Sequence, residues 1–89
     1  MRIATEHGEL KELVAQYETT IGEHSYPVVR YDNAHGRPHR GLLDWSGETI
    51  HKHWLPDNLT LGQALDLGRD DLIANWTRYR LDFLERRPQ

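Results

Sequence analysis

The hydrophobic pattern of this chain changes period once, and that change constrains the fold more than any other feature. Between Tyr26 and Trp54, β-branched and aromatic residues alternate with polar ones, the two-residue period of a half-buried strand. From Thr60 onward Leu61, Leu65, Leu72, Trp76, Tyr79 and Phe83 recur at helical spacing and define one apolar stripe. Strands that run out before a helix begins argue for segregated rather than alternating elements. The expected fold is α+β: an antiparallel β-meander of three to four strands with one amphipathic C-terminal helix packed on one face.

The element boundaries follow from local chemistry. The first nine residues are polar and carry Gly8, which suits a frayed arm or a short edge strand. Residues 10–20 fit a helical stripe and a strand alternation equally well. The turn-like Ile21-Gly22-Glu23-His24 leads straight into the strand Tyr26–Asp32, so a hairpin and a first strand are expected. Pro27 stands near that strand's start, where a missing donor does least harm. Asn33 to Pro38 reads as a loop. His39–Trp45 and Glu48–Trp54 read as two strands joined by a two-residue turn at Ser46-Gly47. Thr60 caps the helix and Gln63 closes a capping box. Gly68 lies on the stripe, which suits a close approach of helix to sheet. Arg86-Arg87 suits the helix dipole, and Pro88 stops the helix. The expected organisation is one domain over 1–89, with an arm at 1–9, the meander at 11–54 and the helix at 60–86.

Eighty-nine residues make a thin core that buries only about 60–65% of the unfolded surface, so a homodimer or a partner would add stability. No Cys is present, which removes disulfides and thiolate metal sites. No apolar run approaches the ~18 residues that span a membrane, and no secretory segment is recognisable. The expected setting is cytoplasmic, with no membrane association. The net charge of −3 lacks the basic excess of a general nucleic-acid binder, so any such contact needs a local patch: Arg30, Arg37, Arg40 and Lys52. The six histidines are the compositional anomaly, and His35, His39, His51 and His53 fall close together.

A two-residue turn at Ser46-Gly47 pairs Leu43 with Ile50, Leu42 with His51, Gly41 with Lys52 and Arg40 with His53. Leu43, Ile50 and Trp54 then share a face expected to meet the helix, and Arg40, His51 and His53 share the other. Trp45, Trp54 and Trp76 are expected to pack as core or rim, and Asp70-Asp71 to lie on a solvated helix face. Arg30 and Asp32 share a face of the preceding strand. Imidazole ordinarily titrates near pH 6.5 and both takes and gives protons there, while a neighbouring Arg stabilises phosphate charge. Two His and an Arg are the inventory of metal-independent RNA cleavage. His51-Lys52-His53 and the His35/His39 pair with Asp32 also offer imidazole and carboxylate ligands for a divalent metal, although the spacing is generic. The plainest reading is a solvated polar face of an antiparallel sheet that does no chemistry, or that only docks a partner.

The run Val28-Val29-Arg30-Tyr31-Asp32-Asn33-Ala34-His35-Gly36-Arg37-Pro38-His39-Arg40, with Arg-Tyr-Asp-Asn-Ala at its core, resembles small prokaryotic proteins of the TumE-like toxin family. His51-Lys52-His53 is similar to that family's His-Lys-His ending. Together with Asn75-Trp76, Tyr79-Arg80 and Phe83-Leu84, the run also resembles a related group of small uncharacterised prokaryotic proteins. The resemblance covers roughly residues 26 to 86. It implies a growth-inhibiting protein neutralised by a cognate, DNA-binding antitoxin encoded nearby. The positions it carries over are Arg30, Asp32, Asn33, His35, His39, His51 and His53.

The resulting expectation is a toxin-like component of a toxin–antitoxin pair that cleaves RNA without metal or cofactor. Arg30 and Arg40 hold phosphate, His51 and His53 exchange protons, and Asp32 orients an imidazole. Asn33, His35, His39 and Lys52 contact substrate. The rival expectation is a non-enzymatic module whose polar sheet face docks a protein partner.

Overall fold

Val28, Val29 and Tyr31 give the second strand its β propensity, and antiparallel neighbours on both sides complete a meander around it. The computed structural model describes residues 14–33 and 36–88. The expected arm at 1–9, residues 10–13 and His35 lie outside the described residues. Four strands, β1 (Val14–Ile21), β2 (His24–Asp32), β3 (His39–Leu43) and β4 (Thr49–Trp54), form one sheet in sequence order. The helix α1 (Leu61–Glu85) follows. This is the α+β meander-plus-helix expected from the change of period, and the ambiguous segment before Gly22 enters the sheet as β1.

α1 begins as its sequence dictates. Gln63 donates its backbone N–H to Thr60 Oγ1 at 3.1 Å, and Thr60 donates its own to Gln63 Oε1 at 2.9 Å. Ala64, Gly68, Leu72, Tyr79 and Phe83 are buried against Ala15, Val28, Val29 and Tyr31. Gly68 is buried because the Tyr31 ring lies directly on it; a Cβ there would stand 2.8 Å from Tyr31 Cγ. Near the helix end Trp45 stacks on Phe83, with centroids 4.6 Å apart, and donates its indole N–H to the Phe83 carbonyl at 2.9 Å.

Two irregularities set the faces. In β2, Tyr17 pairs with Val29 and Glu18 with Pro27, so Val28 is the extra residue of a bulge. Both Val28 and Val29 are therefore buried. At the other end of the sheet the turn differs from the expected two-residue form. Asp44 donates its N–H to Glu48 O at 2.9 Å, leaving a three-residue loop whose Gly47 has φ +88. That loop shifts the register by one, so Leu43 pairs with Thr49 rather than with Ile50. Ile50 then bulges, and the shift is undone: Leu42 pairs with His51, Gly41 with Lys52, Arg40 with His53 and His39 with Trp54.

The helix lies on the opposite face of β3 from the one expected. Tyr31 contacts α1 and pairs with Arg40, so Arg40 faces the helix. Trp54 pairs with His39, one position along, and so belongs to the far face. The apolar alternation of β4 misleads because α1 packs over β1 and β2, and β4 lies beyond its footprint. All six β4 residues are exposed, Ile50 and Trp54 among them. Trp76 is also 47% exposed, packed edge-on to Tyr17 at the side of the stripe, while Trp45 is half-buried at the core rim.

Candidate functional site

The expected site residues divide between two faces. Arg40, His51 and His53 share the helix side of β3–β4. Arg40 and His53 are directly paired, which places their Cβ atoms roughly 4.5–5.5 Å apart, with His51 two positions along the same strand. Both histidines are exposed. Arg30, Asp32, His39 and Lys52 lie on the far side. Asn33 follows Asp32 just past the end of β2, and His35 is outside the described residues.

On the far side, Arg30 donates Nε–H to Gln16 Oε1 at 2.7 Å. His39 is buried, with Nε2 3.0 Å from Asp32 Oδ1 and Nδ1 3.0 Å from the Arg37 carbonyl oxygen. The ring is thus held between two oxygen acceptors, the Asp32 carboxylate and the Arg37 carbonyl. The ring also meets Trp54 edge-on at 5.0 Å, and Trp54 in turn carries Arg37 and Lys52 over its faces. His39 and Asp32 thus tie the ends of β2, β3 and β4 together. The imidazole that Asp32 contacts is that of His39; His51 and His53 lie on the other face.

On the helix side, Arg40 is held by a network that starts in the core. Tyr31 and Tyr79 both donate their hydroxyl hydrogens to Asp71 Oδ2, at 2.6 and 2.5 Å, and Asn75 donates to Oδ1 at 2.8 Å. Arg40 donates to the Tyr79 hydroxyl at 3.1 Å. Burial pushes the Asp71 carboxyl up, but the hydrogen bonds from Tyr31, Tyr79 and Asn75 and the charge of Arg40 outweigh it and hold the group below its ordinary value. Burial and then the bond to Asp71 push both tyrosine hydroxyls above the ordinary phenol range. Burial opposes the Arg40 charge, and Tyr79, Tyr31 and Asp71 more than offset it. Arg40 is therefore a fixed, permanently charged group beside two accessible imidazoles.

Beyond Arg40 a cavity of about 210 Å³ opens between the sheet and the second half of α1, lined by Val28, Val29, Arg40, Leu42, Arg78, Tyr79, Asp82 and Arg86. Among the described residues no group of three or more His, Cys, Asp or Glu gathers in metal-binding geometry, and no helix is long and apolar enough to cross a membrane.

A family model described as a domain of unknown function, DUF7718, matches residues 1–89. The chain belongs to this family. No curated protein and no solved structure matches it.

Sequence reasoning about this DUF7718 member missed Tyr31, Asp71, Tyr79, Arg78 and Arg86. Asp71 reads as a solvated helix residue, yet it accepts three hydrogen bonds. Its position one residue before the buried Leu72 and eight before Tyr79, on the flank of the stripe, is the signal that marks it. Arg78 and Arg86 carry no such signal, because a helix arginine is ordinarily solvated.

Proposed function

We propose that this chain is the toxin-like member of a toxin–antitoxin pair and cleaves RNA without a metal, on the helix side of β3–β4. The observation that carries the reading is the direct pairing of Arg40 with His53 and the placement of His51 on the same exposed face. Residues two apart on a strand are separated by roughly 6.6–6.8 Å, so two imidazoles can flank one phosphodiester. One imidazole removes the 2′-hydroxyl proton, and the 2′-oxygen attacks phosphorus. The 5′-oxygen leaves with a proton from the other imidazole, giving a 2′,3′-cyclic phosphate. Arg40 stabilises the charge that builds on the phosphoryl oxygens. Arg30, Asp32, His39 and Lys52 belong to the other face and have no part in this chemistry.

The test is growth after induced expression of the native chain and of His53→Ala at matched folded level, with total RNA examined for new 2′,3′-cyclic ends. The expected result is arrest and cleavage by the native chain alone. A folded His53→Ala chain that still arrests growth and cleaves RNA sinks the mechanism.

One observation favours a second reading, a partner-binding module. Among the described residues β4 is an edge of the sheet, all its residues are exposed, and Ile50 and Trp54 give it apolar grip for strand addition. That reading expects neither chain to arrest growth, and single changes on β4 to weaken partner binding by degrees.

A further inference from the structure

The cavity beside Arg40 has a composition that its packing does not require. Three guanidinium groups, Arg40, Arg78 and Arg86, line it against one carboxylate, Asp82, leaving two positive charges in excess. The Nε atoms of Arg40 and Arg86 are both shielded from solvent, and among the described residues neither has a hydrogen-bond partner. Buried donors are normally satisfied, so both guanidinium groups keep donor capacity that no described residue uses, on side chains that line the same cavity. The remaining contacts hold these side chains in place. Arg40 donates to Tyr79, Arg86 donates to the Leu43 carbonyl at 3.0 Å, and Arg78 and Arg86 lie over the rings of Tyr79 and Phe83.

We propose that this cavity binds a single phosphate group, seated between Arg40, Arg78 and Arg86. Its volume is below the roughly 300–1,000 Å³ typical of sites for drug-sized ligands, and it suits one tetrahedral oxyanion. Planar guanidinium groups that converge from a strand and a helix match such an anion better than point charges on flexible stems. Asp82 separates Arg78 from Arg86 along the helix and disfavours a second anion. The site is built from side chains, since the helix end it adjoins presents carbonyls rather than free N–H groups; the N–H groups of Arg86 and Arg87 are already bonded to Asp82, Phe83 and Leu84. The assignment deepens the RNA-cleaving reading by giving the phosphate a seat against Arg40, the cross-strand partner of His53, and it rests on that reading only for the phosphate's source.

The test uses the full native chain and Arg78→Ala, an exposed position whose loss leaves the Tyr31–Asp71–Tyr79 network intact. Melting temperature is followed as inorganic phosphate replaces chloride at constant ionic strength, and binding is measured by calorimetry. The native chain is expected to rise in melting temperature with phosphate and to bind it at least about tenfold tighter than Arg78→Ala does, the scale of one lost charge-assisted hydrogen bond. A second arm adds a short single-stranded RNA, uncleavable through 2′-O-methylation. Competition between this RNA and phosphate identifies the backbone as the source, and phosphate binding without competition identifies a free phosphate. No phosphate-dependent shift in the native chain, or an equal shift in Arg78→Ala, overturns the proposal. A chain that binds phosphate but cleaves no RNA refutes the catalytic reading and leaves this one standing.

Discussion

Gly68→Ala tests whether the core is built as described and whether it supports Arg40. In an ordinary helix interior this change adds about 1 kcal/mol of stability, because glycine loses more backbone freedom than alanine. Here the new Cβ would stand 2.8 Å from Tyr31 Cγ and 3.1 Å from both Cδ atoms. Carbon atoms pack optimally at about 3.5–4.0 Å, so ring and helix must part by roughly 0.7 Å. The ring has little room to move: Tyr31 is 2% exposed and its hydroxyl is bonded to Asp71 at 2.6 Å. Overpacking of this kind costs about 1–3 kcal/mol, and a rigid ring tethered at its far end belongs at the upper limit. Set against the propensity gain, the net loss is about 2 kcal/mol, or roughly 8–16 °C in melting temperature for a domain of this size. Gly62→Ala is the internal control, because its Cβ meets only Thr60 Oγ1, at an ordinary 3.8 Å; it should hold or gain stability. Thermal melts followed by circular dichroism read both. Displacing the Tyr31 ring also loosens Asp71 and Tyr79 behind Arg40, so the phosphate response should weaken in step. A Gly68→Ala chain that melts at or above the native temperature refutes the close approach and the lever built on it.

Asp71→Asn should flatten the acid limb of stability. The folded-state value of Asp71 is depressed, so its contribution is fully present above the unfolded value of about 3.9 and is lost as pH falls through the folded one. The native chain should therefore lose stability below about pH 4 more steeply than Asp71→Asn, by under about 1 kcal/mol because the group is partly exposed. Parallel melting-temperature curves between pH 2 and 6 contradict this. Gly47→Ala should cost about 1–2 kcal/mol, since its φ of +88 closes the β3–β4 loop in a region that alanine enters with strain. An unchanged melting temperature removes that turn geometry from the account.

The chain's periods showed the fold class directly, and the capping box showed where the helix begins. The pairing of Arg40 with His53 was legible for a less direct reason. Counting back from a two-residue turn at Ser46-Gly47 yields the observed partners, yet the loop has three residues and Ile50 bulges to compensate. The loop did leave a trace in the sequence. Asp44 Oδ1 accepts from the Ser46 N–H at 2.9 Å, the Ser46 hydroxyl at 2.6 Å and the Glu48 N–H at 3.0 Å, and an Asp three residues before Gly is the usual signature of a type I turn. The choice of helix face was not legible. It depends on which strands α1 covers, and an edge strand outside its footprint keeps an alternation that no burial enforces. Leu43, Ile50 and Trp54 therefore suggested the wrong side, and Arg40 was the residue displaced by that error.

Arg40 is where packing and chemistry pull against each other. It stands opposite Tyr31, where a β-branched apolar residue would fill the space without desolvating a charge. The fold instead keeps a guanidinium there and leaves its Nε without a partner among the described residues, a burden of about 1–3 kcal/mol for a buried donor. Anchoring the helix does not demand it, because the Tyr31 hydroxyl already ties the sheet to Asp71. The manner of the contact points the same way. Arg40 reaches Asp71 through the Tyr79 hydroxyl, so a neutral group stands between cation and carboxylate. A direct bidentate pair would spend the guanidinium's donors on the protein itself and cancel its field towards the cavity. With the hydroxyl between them, Asp71 fixes the position of Arg40 while much of its charge remains directed at Arg78, Arg86 and whatever anion they share.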